Sequence, residues 1–154
     1  MLKNIIAEAH CDVPCGIYEP TVAKLAAMTV KRMTEQLIGL EKFQDSADLA
    51  ARKAFIQSIQ RRAEAKEEHA EKVKREIQIL WSDFFKPEHV EKFPQLHDLV
   101  WKTLKEASSC KQEISQTHAE NLVKMVDEIA KIFYDAKGKS EKFEAYKLLT
   151  DTVY

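Results

Sequence analysis

From Pro20 onward, Val22, Leu25, Thr29, Met33, Leu37 and Leu40 recur at intervals of three or four, the spacing of one face of an α-helix. Proline suits a first helical turn, so a helix is expected over roughly 20–40, loosened at Gly39. Asp45 and Ser46 are capping types, and beyond them Ile59, Ala63, Ala70, Val73, Ile77 and Leu80 mark a long second helix. Its other face, RRAEAKEEHAEKVKRE, reads as a solvated or subunit-facing surface. Pro87 and Pro94 break the period in SDFFKPEHVEKFP, which predicts a compact corner with at most a short helical turn. A third helix carries Leu96, Val100, Leu104 and Ala107, and a fourth carries Leu122, Met125, Ile129, Phe133 and Ala136, with a boundary near SSCKQ. Trp81 and Trp101, at helical spacing among apolar residues, are expected to anchor the core. Gly138 ends the fourth helix, and KSEKFEAYKLLTDTVY is expected to add a short one. The pattern predicts an all-α, up-and-down four-helix bundle.

Composition narrows the partners more than the fold. The chain has 154 residues, enough for one domain with a substantial core that needs no disulfides. With 24 basic and 25 acidic residues the net charge is −1, so no global field points to nucleic acid or to an anionic membrane. No run approaches a membrane span, and MLKNIIAEA is too short to hold the three regions of a secretory signal. A cytoplasmic location follows as the expectation, where the three cysteines would be reduced, metal-bound or catalytic.

Several common chemistries are absent. The residues three before His69, His89, His97 and His118 are Lys66, Lys86, Pro94 and Ser115, so the paired Glu-x-x-His motifs of a di-iron bundle do not occur. There is no glycine-rich phosphate loop. The histidines are expected to serve packing and hydrogen bonding, and His118, on an apolar stripe, is the least settled of them.

One stretch remains. HCDVPCGIYEP, residues 10–20, crowds one His, two Cys, two Pro and one Gly into eleven positions. Pro14 prevents an ordinary helix between Cys11 and Cys15, so a tight loop must bring the thiols together, and Gly16 lets the chain turn straight afterwards. Two thiolates beside an imidazole suit zinc, copper, nickel or iron. By spacing alone three readings stay open: a redox-active or structural thiol pair, a structural zinc knuckle, and a catalytic metal. If the bond between Ala9 and His10 were cut, His10 would gain a free α-amine, and the Cys11 amide nitrogen would lie between that amine and a thiolate. Nitrogen and sulfur donors in one plane suit nickel or copper, whereas zinc prefers a tetrahedron.

The run closely resembles the hook of nickel-containing superoxide dismutases, whose mature chain starts His-Cys-Asp-x-Pro-Cys-Gly-x-Tyr. ILWSDFFKPEHVEKFPQLHDLV is similar to that family's corner between its second and third helices, and VDEIAKIFYDAK matches more loosely. The resemblance implies a nickel ion held by His10 (amine and axial imidazole), Cys11 (thiolate and amide nitrogen) and Cys15 (thiolate), with a cis bond before Pro14. It places Tyr18 and Asp12 around the metal, where Tyr18 limits access and helps order water. It implies superoxide as substrate, converted to dioxygen and hydrogen peroxide by Ni(II)/Ni(III) cycling, a homohexamer, and a protease that removes a leader. The divisions are then a leader at 1–9, a nickel hook at 10–20, a four-helix bundle at 21–137 and a C-terminal extension at 138–154. Lys86 is a candidate for attracting an anion.

The chain also departs from the family pattern. In its best-known branch a Glu of the first helix and an Arg of the second buttress the hook histidine; the matching positions are Ala26 and His69, leaving His69 as a substitute partner. A corner Tyr is here Phe84, and Cys110 has no counterpart. The competing reading is a non-catalytic metal-binding or thiol-redox helical protein that keeps its leader.

Overall fold

In chain order the helices are α1 (Thr21–Ile38), α2 (Leu49–Ile79), α3 (Pro87–Lys92), α4 (Leu96–Gln112), α5 (Gln116–Ala136) and α6 (Glu141–Asp151). The computed structural model describes residues 17–40 and 48–152, and no strand occurs among them. α1 and α4 each pack against both α2 and α5, so the four long helices form the up-and-down bundle that the periodicity predicts. Val30, Val73, Ile77, Leu96, Val100, Leu122, Val126, Ile129 and Phe133 fill its centre. Among the described residues, no helix is long and apolar enough to cross a membrane.

The predicted face of α1 is corrected. Val22 and Leu25 are each 40% exposed, while Ala23, Ala26, Ala27, Val30, Thr34 and Leu37 point inward. Small residues let α1 approach its neighbours closely, so the alanine-rich face wins the interior and leaves a second apolar row outside. The tryptophans are corrected too: Trp81 and Trp101 are exposed rather than core anchors. Trp81 donates its indole N–H to His97 Nδ1 at 2.8 Å, and Lys105 Nζ lies 5.7 Å from the Trp101 ring centre.

Two lysines that composition would put in water are inside. Lys66, on the face read as solvated, is 2% exposed. Its ammonium donates to the carbonyls of Cys110, Lys111 (3.2 Å) and Glu113 (2.9 Å), closing the end of α4 where carbonyls lack helical partners and the helix dipole is negative. Burial pulls its pKa below the ordinary lysine value. Lys66→Met is expected to lower stability by about 2–3 kcal/mol, because it orphans these carbonyls, read as a drop in the urea midpoint. An unchanged midpoint would show that water replaces the ammonium at no cost.

The second is Lys24 in α1, 1% exposed, whose Nζ lies 2.8 and 2.7 Å from the two Asp127 oxygens and 3.0 Å from Asp151. Asp127 also accepts from the Tyr146 hydroxyl at 3.1 Å and from Lys147 at 3.0 Å. This charge cluster docks α6 on α1 and α5. Burial works to raise the Asp151 pKa, but hydrogen bonds from Lys147 and Lys24 prevail and hold it low; the Asp151 carboxylate in turn raises that of Lys147.

The ends of α5 and the corner follow local rules. Ser115 caps the start of α5 by accepting the His118 N–H. Gly138, at φ 65°, ends the helix: its N–H reaches Asp135 O at 3.2 Å and the Lys139 N–H reaches Tyr134 O at 2.9 Å. Asp48 caps α2 through the Ala50 N–H at 2.9 Å; the expected caps Asp45 and Ser46 lie outside the described residues. α2 runs into a π-helical turn, Leu80–Phe84, closed by Phe85 N–H to Leu80 O at 3.0 Å. The extra residue in that turn shifts the phase of the side chains that follow.

Candidate metal centre

The stem that joins the hook to the bundle is fixed from several sides. Tyr18 is half-buried, with its ring 5.9 Å from Phe84, the residue standing where the family pattern has a tyrosine. Phe84 stacks on His89 at 5.6 Å and 11°, and meets Phe133 at 4.5 Å. Lys137 Nζ lies 4.8 Å from the Phe133 ring centre and 5.9 Å from that of Phe84, and donates to the Tyr18 carbonyl at 3.4 Å. Glu19 accepts from its neighbour Thr21 at 3.0 Å and from the Tyr134 hydroxyl. Burial, then the Glu19 carboxylate, raises the Tyr134 pKa, so this phenol stays a donor.

Beside the stem opens a cavity of about 410 Å³, lined by Tyr18, Asp83, Phe84, Lys86, His89 and Lys137. The Lys86 backbone N–H donates to His89 Nδ1 at 3.0 Å, which places the proton of the neutral ring on Nε2. Two ammoniums against one carboxylate make the local balance positive, although the whole chain is near neutral. A larger cavity, about 490 Å³, lies between α1 and α2 beside Met33, Gln36, Arg61 and Arg62. Among the described residues no Cys, His or carboxylate lines it, whereas Asp83 and His89 line the smaller one.

No three His, Cys, Asp or Glu side chains gather to hold an ion among the described residues. His118 pairs with Glu106 at 2.8 Å and Glu113 at 3.7 Å, and His69 bonds the carbonyl of Ala65 in its own helix at 2.8 Å. Ala26 is buried in the apolar core, so no polar buttress replaces a carboxylate there. Cys110 is a buried free thiol whose pKa is pushed up to about 12 by burial and then by Glu106, which keeps it protonated and a poor ligand. The other two thiols of the sequence are Cys11 and Cys15. These two, with His10, Asp12 and Pro14, lie outside the described residues. As a donor set, two thiolates with an imidazole fit nickel, and of His10, Cys11, Asp12, Cys15 and Tyr18 the described residues include Tyr18 alone.

A family model for nickel-containing superoxide dismutase matches residues 5–137. The chain belongs to the nickel-containing superoxide dismutase family. It is 36% identical over 134 residues to superoxide dismutase [Ni] of Streptomyces coelicolor, covering 87% of this chain and 92% of the relative. It is 34% identical over 142 residues to that of Streptomyces seoulensis, covering 89% and 98%. A native nickel superoxide dismutase structure superposes with a TM-score of 0.69 at 36% identity, over 83% of this chain and 99% of that one. One with nickel ligation corresponding to the oxidised state gives 0.71 at 32%, over 84% and 99%. Membership in this family makes nickel the cofactor and the bundle the shared scaffold. The match ends at Lys137, so α6 lies beyond it.

The sequence missed Lys137 and His89 as parts of this site. Lys137 sits at the helix end directly before the Gly138 stop, where a lysine looks ordinary, and its role appears only when α5 returns it to the stem. His89 could have been found from its place three residues after Lys86, at the start of a proline-led helix.

Proposed function

We propose that this chain is a nickel superoxide dismutase, an oxidoreductase whose metal is held by His10, Cys11 and Cys15. The observation that carries the reading is HCDVPCGIY, with every fixed residue type of the family hook in order, in a chain matched by the family over residues 5–137. Bound there, nickel supplies one-electron chemistry between its divalent and trivalent states, by which one superoxide is oxidised to dioxygen and the next, with two protons, is reduced to hydrogen peroxide.

The chain supplies the conditions for this cycle. The Cys11 and Cys15 thiolates and the Cys11 amide nitrogen are anionic donors, which favour the higher oxidation state. Lys86 and Lys137 make the cavity beside the stem attractive to a small anion. Tyr18, anchored by its ring on Phe84 and by its carbonyl on Lys137, limits access and helps order water, with Asp12 close to the metal ligands in sequence. Cleavage after Ala9 by a leader protease would free the His10 amine. A homohexamer is supported by the family reading and by the outer apolar row of α1 at Val22 and Leu25. The even charge balance favours neither nucleic acid nor membrane as a partner, and the cytoplasm suits reduced thiols.

The test is superoxide decay followed spectrophotometrically with protein beginning at His10, with and without nickel. Catalytic decay only in the nickel-loaded sample, at one nickel per chain and a solution mass of six chains, is expected. A loaded sample that leaves superoxide untouched returns the chain to the non-catalytic metal-binding class.

A further inference from the structure

The C-terminal extension is more than an appended helix. Tyr146 of α6 lies on two side chains that hold the stem: its ring is 5.8 Å from that of Tyr134, and its hydroxyl donates to Asp127 at 3.1 Å. Asp127 and Tyr134 are seven residues apart, two turns of α5, and so share one face. Tyr134 reaches Glu19, just before α1, and Asp127 reaches Lys24 in its first turns. Asp151 and Lys147 close the cluster at 3.0 Å to Lys24 and 3.0 Å to Asp127. Lys24, Tyr134 and Tyr146 are all buried by this arrangement. The family match stops before α6, so the α6 side of these contacts lies outside the matched region.

We propose that α6 braces the stem of the hook, clamping residues 17–24 through Tyr134 and Asp127 and so fixing the platform from which the metal-binding run meets the bundle. Tyr146 is the keystone as a positioning residue. It touches neither metal nor substrate in this scheme, and its consequence for dismutation rests on the function proposed above. A hook whose base is held by one phenol, one carboxylate and one buried ammonium loses fewer degrees of freedom when its donors converge, which favours a single metal geometry.

Amide hydrogen exchange on the metal-free full chain tests this directly. Tyr146→Ala removes both ring and hydroxyl, and exchange in residues 17–24 is expected to accelerate about tenfold, with α4 unchanged within about twofold. Tyr146→Phe keeps the ring and the fold, and the same residues are expected to accelerate about two- to threefold. Should Tyr146→Ala not fold, Tyr146→Phe decides. Acceleration confined to α6, or spread equally into α4, overturns the brace. In nickel-loaded protein beginning at His10, Tyr146→Phe is expected to lower dismutation about twofold at unchanged nickel content. The exchange result needs no metal, so a wild-type chain that shows the brace but never dismutes superoxide overturns the function alone.

Discussion

Cys11→Ser and Cys15→Ser are each expected to reduce superoxide dismutation by the nickel-loaded protein at least about 100-fold, a loss of roughly 3 kcal/mol in transition-state stabilisation. Serine keeps the size of cysteine but removes the thiolate, since an alcohol stays neutral at pH 7 and is a hard, weak donor. With one anionic sulfur gone the higher oxidation state of the metal is no longer within reach, and nickel content should fall as well. Cys110→Ser is the internal control. Its thiol is buried with its pKa pushed up to about 12, which makes it a poor ligand, and activity is expected to stay within about twofold of wild type. Superoxide decay and metal analysis on the three variants read this out; loss of activity in Cys110→Ser alone would mean that the ligands are wrongly assigned.

Asp127→Ala is expected to cost about 3–5 kcal/mol of folding stability, the largest effect of any single change in the bundle. Its carboxylate accepts two hydrogen bonds from Lys24, one from Tyr146 and one from Lys147. Truncation leaves a buried ammonium with Asp151 as its one remaining carboxylate among the described residues, since Lys24 is 1% exposed and cannot turn to water. Asp151→Ala removes a carboxylate that is itself 45% exposed and should cost under about 1 kcal/mol. Urea unfolding of both variants separates a buried pair from a surface one. Equal small losses would show that Lys24 is hydrated in solution.

The helices were legible because long apolar stripes at helical period leave little choice. The stripes of α2, α4 and α5 are buried or half-buried as read, and the break near SSCKQ falls just before Glu113, where α4 ends. α1 was misread because it is apolar on two sides: period alone cannot say which row meets the core, and Ala23, Ala26 and Ala27 carry no bulk that would mark them. Lys66 was hidden by its charge, yet it falls on the spacing Lys66, Ala70, Val73, Ile77, which is the buried stripe itself. Lys24 sits in the apolar run TVAKLAAM, a signal of the same kind, but its partner Asp127 is 103 residues away and no local rule connects them. Trp81 was misplaced because the π-helical turn changes the phase that helical counting assumes. The proposed metal donors His10, Cys11 and Cys15 stand out in the sequence by residue type and by their likeness to the family hook, and they lie outside the described residues, whereas the cavity beside the stem depends on α5 bringing Lys137 and Phe133 back to Tyr18.

The central claim is that a free amine on His10 completes the site. The direct measurement compares the full 154-residue chain with a form beginning at His10, each incubated with nickel under the same conditions, by superoxide decay per chain. The trimmed form should be active and the leader-bearing form at least about 100-fold slower, because an amide nitrogen between Ala9 and His10 cannot donate as an amine does. Equal activity in the two forms would contradict the amine ligand and the need for cleavage after Ala9.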